Sequence, residues 1–296
     1  MHQYWVDQWL KIEENRLEYI RKNQKILKAE SYDVICAAVD RHEVDIGNWV
    51  ILPSSHIGSA RNNTQNFQDL LAIQRKKGKP DLFITFTCNS KWSEITENLK
   101  PNEVAWMRPD ISTRVFNIKL QSLIRDICEN KVFGAVSAHA YVIEFEKRGL
   151  PHSHILIWLA DEDKPRTTTD FDTIVCAEIP NPEINPILFG IVTKHMIHGP
   201  CGHINPTCVC MKNGHCSKHF PKEFCAQTQN PDDGYPIYRR RSPDCGGMTF
   251  VSSNGTIISN AWVVPYNPYL SKVYNAHINV EICNTVQVLK LSLIHI

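Results

Sequence analysis

Residues 135–159 read AVSAHAYVIEFEKRGLPHSHILIWL, and two β-strands with the turn between them can be taken from that stretch alone. Ala135 to Glu146 is rich in Val, Ile, Tyr and Phe, side chains that suit a pleated surface, and His152 to Leu159 is a second such run. Lys147 to Pro151 is short enough to fold one strand back on the other, so the spacing predicts a hairpin. Side chains alternate along a strand. His152 and His154 therefore leave one face about 7 Å apart at the backbone, a gap that two imidazoles can close onto one ion. The apolar run Ile155 to Leu159 reads as a buried central strand that would hold the pair rigidly.

A His-x-His pair is equally compatible with two hydrogen-bonded structural residues, so the rest of the site has to be sought around it. A hard ion such as Mg²⁺ or Mn²⁺ wants oxygen ligands, which places the expected carboxylate on the neighbouring strand. Glu144 and Glu146 share one face of that strand, and both are candidate metal ligands, with Glu144 preferred; the alternative for each is a solvated strand face.

Outward from the hairpin, residues 4–29 and Asn62 to Lys77 have the apolar spacing of amphipathic helices, the second ended by Gly78-Lys79-Pro80. Leu82 to Thr87 reads as a strand and Thr113 to Glu129 as a helix between strands. Asp161 to Asp170 is charged and turn-rich, a boundary loop. Ile184 to His198 reads as helical with Pro186 near its start. Met248 to Ser252 and Thr256 to Val264 flank Asn254-Gly255, a pair suited to a tight turn, and His277 to Cys283 is the last strand. The expected class is α+β: an antiparallel sheet with flanking helices and a Cys/His-rich insert.

With 32 Lys plus Arg against 31 Asp plus Glu, the chain has no strongly basic character, and nucleic-acid contacts would have to come from local clusters. Arg75 to Lys79 and Arg239-Arg240-Arg241 are the densest, and Lys147-Arg148 lies beside the histidine pair, which makes these two the candidate DNA-binding residues. No apolar run approaches the roughly 20 residues of a bilayer span, and no signal peptide is visible, so an intracellular protein without membrane attachment is expected. The 11 cysteines form an odd count, which fits reduced thiols better than a disulfide framework. Cys201, Cys208, Cys210 and Cys216 could make a closed tetrahedral site for structural Zn²⁺; free thiols in a loop are the alternative.

Phe83-Ile84-Thr85-Phe86-Thr87-Cys88-Asn89 resembles the first motif of rolling-circle replication initiators, and Gly149-Leu150-Pro151-His152-Ser153-His154 resembles their His-hydrophobe-His motif, with Ser153 in the middle. More narrowly, the chain resembles the helicase-like N-terminal region of Helitron transposases. The resemblance runs through Leu52 to Ser55, Gly78 to Thr87, Arg108 to Asp110, Glu144 to His152, Phe220 to Lys222 and Val264 to Tyr269. It implies an HUH/Rep nuclease-like domain that nicks and rejoins single-stranded DNA with a divalent metal, through a 5′-phosphotyrosine intermediate in rolling-circle transposition. Thr87 and Asn89 would then sit beside the phosphate or a base as catalytic candidates, and a nuclear location follows.

In such relatives a Tyr-x-x-x-Tyr helix follows the segment matching Asn279 to Lys290, and a C-terminal helicase domain belongs to the same chain. Here Leu291 to Ile296 contains no tyrosine, and no Gly-x-x-x-x-Gly-Lys-Ser/Thr is present. The expected layout is a helical region at 1–80, the nuclease domain at 81–290 with the insert at 198–225, and an aberrant tail at 291–296. The missing tyrosine keeps two other functions open: a non-catalytic DNA-binding remnant with structural zinc, and a metal-dependent phosphoesterase that activates water.

Overall fold

The computed structural model describes residues 2–24, 26–27, 51–146, 149–231 and 236–283. The hairpin is formed by β2 (Val136–Phe145) and β3 (Pro151–Leu159), in one register from Ala138 opposite Trp158 to Phe145 opposite Pro151, with a bulge between Val136 and Ala138. The turn is closed by Gly149, whose N–H donates to Glu146 O at 2.7 Å and whose φ of +79° strains any residue with a Cβ.

β1 (Leu82–Thr87) pairs antiparallel with β3 on one side and with β8 (Ile278–Ile282) on the other, giving a four-stranded sheet in the order β2-β3-β1-β8. The class is α+β, as the pattern of separated strands and helices requires. The sheet has two unlike faces because each strand alternates. Leu82, Ile84 and Phe86 of β1, Ile155 and Ile157 of β3, and Ile278, Val280 and Ile282 of β8 are buried on one side. Phe116, Leu120, Leu123 and Ile127 of α4 (Pro109–Cys128) join them in the same core. Each of these side chains contributes about 1.5–3 kcal/mol by burial. The helix starts earlier than the apolar spacing predicts, since Pro109 at its first turn needs no N–H acceptor there.

By contact the chain divides at Ala72/Ile73. The first unit contains α1 (His2–Lys22) and the start of α2 (Ala60–Lys77), which Ser59 caps by accepting from Asn62 N at 3.0 Å. The expected boundary at residue 80 lies in the second unit, where Gly78 O accepts from Trp158 Nε1 at 2.9 Å. The expected tail at 291–296 lies outside the described residues.

The short helix α3 (Ser93–Thr96) precedes α4. The expected boundary loop at 161–170 is corrected in part: α5 (Thr168–Ile174) begins inside it, with Thr167 and Asp170 forming a reciprocal capping box. After α6 (Pro186–His195) come two small ribbons, β4 (Met211–Lys212) with β5 (His215–Cys216), and β6 (Thr249–Val251) with β7 (Ile257–Ser259). Of Asn254-Gly255 only the glycine takes positive φ, so the loop between β6 and β7 is wider than a two-residue turn. α7 (Pro268–Tyr274) then leads into β8.

Candidate metal centres

On the sheet face opposite the core, the register sets residues in rows. Glu144 pairs with His152 and His152 with Thr87; Val142 pairs with His154 and His154 with Thr85. The structure brings Glu144, His152 and His154 together, with one donor atom from each lying within 4.8 Å of the others. His152 Nε2 is 3.2 Å and His154 Nε2 3.9 Å from Glu144 Oε2. Side-chain exposures of 20% for Glu144, 16% for His152 and 19% for His154 leave the group reachable yet held.

The donor set fits a divalent ion. Ligands about 2.1 Å from a common centre lie roughly 3.0–3.5 Å apart, close to the separations found here. The outer contacts fit as well. His154 Nδ1 is 3.1 Å from Thr85 Oγ1, and when Nε2 faces a metal the Nδ1–H donates to that hydroxyl, fixing tautomer and ring angle. Phe83 stacks on the His154 ring at 5.4 Å and 14°. Below the pair on the same strand, Leu156 and Trp158 are buried and anchor it.

The other expected site residues fall in different places. Glu146 is exposed in the hairpin turn and outside the triad. Thr87 stands in register with His152 on the site face. Asn89 is not brought there: its buried amide donates to Asn275 O at 2.7 Å and accepts from Lys91 N at 2.9 Å, fixing the turn after β1. Lys147 and Arg148 lie outside the described residues. The Arg239 to Arg241 run is occupied internally. Arg241 makes a forked pair with Glu178, with Nε–Oε1 at 2.9 Å and Nη2–Oε2 at 2.7 Å. Burial raises the Glu178 carboxyl, but the hydrogen bonds from Arg241 outweigh it and hold the group below its ordinary pKa. Arg240 is buried and donates to the carbonyls of Asn260 and Val263 at 2.8 and 2.6 Å.

The cysteine cluster also differs from the expected set. The group that converges is His198, Cys201, Cys210 and Cys216, within 4.8 Å of one another, and this Cys/His cluster could hold a metal ion. His198 Nε2 lies 3.7 Å from Cys201 Sγ and 3.5 Å from Cys216 Sγ. A tetrahedral ion with S at about 2.3 Å and N at about 2.0–2.1 Å has S···N edges of roughly 3.6 Å. Cys208 stands at the border of the group, 3.5 Å from Cys210 Sγ. Sequence reasoning missed His198 because it ends a helical stretch, although His198-x-x-Cys201 was the spacing that could have found it. Phe220 stacks on the His198 ring at 4.3 Å and 11°, holding it toward the thiols.

Sequence reasoning also missed the residues that extend the site face along β8. His277, Asn279 and Glu281 alternate with the buried Ile278, Val280 and Ile282. Burial, then the charges of His195 and His152, pushes His277 down to about 4, so it is neutral at pH 7. Burial pushes Glu281 up to about 7 in spite of its hydrogen bond with Tyr238 and the charges of Arg240 and Lys222.

Among the described residues no helix is long and apolar enough to cross a membrane. No curated protein gives a significant match to the chain. A family profile described as "Helitron helicase-like domain at N-terminus" matches residues 1–157, more than half of the chain and up to the apolar end of β3. The chain therefore belongs to the Helitron helicase-like N-terminal domain family, and its function is transposase-related.

Proposed function

We propose that the protein nicks and transfers single-stranded DNA in rolling-circle transposition, using Mg²⁺ or Mn²⁺. The observation that carries this reading is the convergence of Glu144, His152 and His154 on an open sheet face. The two histidines would hold the ion through Nε2 and Glu144 through Oε2. When bound, the ion supplies polarisation of the scissile phosphate and neutralises charge on its non-bridging oxygens. Thr85 orients His154, and Thr87, beside His152, offers a hydroxyl to the phosphate.

In the covalent step implied by the family, a tyrosine oxygen bonds to phosphorus and loses its proton, the bond to the 3′ oxygen breaks, and a 3′-hydroxyl is released. The 5′ phosphate stays on the tyrosine, so that the strand can be rejoined. Zn²⁺ is the ion proposed for His198, Cys201, Cys210 and Cys216, a closed structural set. The nucleus is the proposed place of action, with single-stranded DNA as partner and a helicase domain in longer relatives.

A second reading, a non-catalytic DNA-binding remnant, is favoured by the tyrosines. Tyr274 is buried, donates to Asp126 and accepts from Ser122, Tyr266 is buried and donates to Glu178 O, and Tyr269 is exposed on α7 outside the triad. One assay separates the readings: Mn²⁺-dependent cleavage of a 3′-labelled single strand by the full chain, alongside Mn²⁺ titration. A protein-linked 5′ end that is lost in His152→Ala supports nicking and transfer. Mn²⁺ and DNA binding without cleavage supports the remnant, and freely released product supports a phosphoesterase that activates water.

A further inference from the structure

The polar face that starts at Glu144 continues past the histidines. Across β1 and β8, Thr85 pairs with Asn279 and Phe83 with Glu281, so these side chains extend the same surface. They floor a cleft of about 630 Å³, and Lys218, Phe220 and Lys222 of the Cys/His module line it as well. His154 lines this cleft too, and so the cleft opens directly from the metal centre. The size suits one nucleotide.

The polar groups inside are directional. Ile282 N donates to Tyr238 Oη at 2.9 Å, which leaves the phenolic proton for the Glu281 carboxylate. Asn279 also hydrogen-bonds Glu281. Asn279 Oδ1 takes no part in that bond, so the group Asn279 offers Glu281 is Nδ2. That oxygen is buried and has no hydrogen-bond partner among the described residues, and the same holds for His277 Nδ1. Buried acceptors in folded proteins are nearly always satisfied, and this one belongs to a residue lining a cleft with cations and aromatic rings on its walls, into which a turn of the side chain would bring it.

We propose that this cleft is a nucleotide subsite beside the metal centre, where Asn279 Oδ1 accepts from the amino-bearing edge of adenine, cytosine or guanine and disfavours thymine. Thymine presents its one N–H between two carbonyl oxygens, and these would face Asn279 Oδ1 and the Glu281 carboxylate. Lys218 and Lys222 take the adjoining phosphate, and Phe83 gives the base an aromatic wall. The inference rests on the reading of the site as a single-stranded DNA centre.

The test is binding of short fluorescent homopolymers to the full chain without added divalent ion. Oligodeoxyadenylate is expected to bind about tenfold tighter than oligothymidylate, and about tenfold tighter than the same strand built from N6,N6-dimethyladenine, which has no N–H to donate. Asn279→Leu should equalise the three. Equal affinities in the unaltered protein overturn the subsite with no variant needed, as does a preference that survives Asn279→Leu. A preference retained by protein that never cuts DNA supports the subsite and counts against the nuclease reading, so the two fail separately.

Discussion

Ser153 sits between the two histidines with its side chain on the buried face, where its hydroxyl donates to Val142 O at 2.8 Å. A neighbouring strand's carbonyl thus satisfies a polar residue where the family resemblance leads one to expect an apolar one. Ser153→Ala should cost about 1 kcal/mol in urea unfolding and leave Mn²⁺ affinity unchanged, because the histidines are on the other face. Glu144→Gln, by contrast, should weaken Mn²⁺ binding by about tenfold or more in a calorimetric titration without lowering stability, since it removes the charge and keeps the shape. Glu281 gives a pH signature. It titrates at about 7 in the folded chain against an ordinary 4.5, so the folded state holds the extra proton between those values. Its contribution is complete below about 4.5 and is lost as pH rises through about 7, on the order of 1–3 kcal/mol. Glu281→Gln should therefore flatten the dependence of Tm on pH between 5 and 8, with the larger gain at pH 8.

At the scale of elements, the sheet is fixed from below by α4, and α5 is closed at its start by a cap. Phe116 is 1% exposed and stacks on Phe86 at 5.3 Å, so Phe116→Ala should cost about 3–5 kcal/mol in chemical denaturation. Thr167→Ala removes the cap of α5 and should cost about 1 kcal/mol. That capping box, Thr167-x-x-Asp170, is legible in the sequence but lies in a charged, turn-rich stretch that reads as a loop. The hairpin β2–β3 was legible to within a residue, since alternation over two adjacent strands admits one register once Gly149 sets the turn.

For the whole molecule, the two candidate metal groups make a clean distinction. His198→Ala should abolish one equivalent of bound metal, measured by elemental analysis of the purified chain, whereas Cys208→Ser should keep it. Loss of metal in Cys208→Ser, with retention in His198→Ala, would reverse the assignment of the fourth ligand. Because Lys218, Phe220 and Lys222 belong to the same module, metal-free protein should also bind oligonucleotides less tightly while keeping its Mn²⁺ site.

The sequence by itself determined the α+β class, through the order of separated strands and helices along the chain, and the hairpin with His152 and His154 on one face, because these follow from strand alternation and turn chemistry within about 25 neighbouring residues. The choice of Glu144 over Glu146 needed the register, which sets Glu144 opposite His152 and leaves Glu146 in the turn. His198 as the partner of Cys201, Cys210 and Cys216 was hinted at by the His198-x-x-Cys201 spacing and selected over Cys208 by the packing of the insert, and the extension of the site through Asn279 and Glu281 was decided by tertiary structure alone. Thr85 meets Asn279 and Phe83 meets Glu281 across more than 100 positions of chain through strand pairing, and no local pattern encodes which distant side chains share a face.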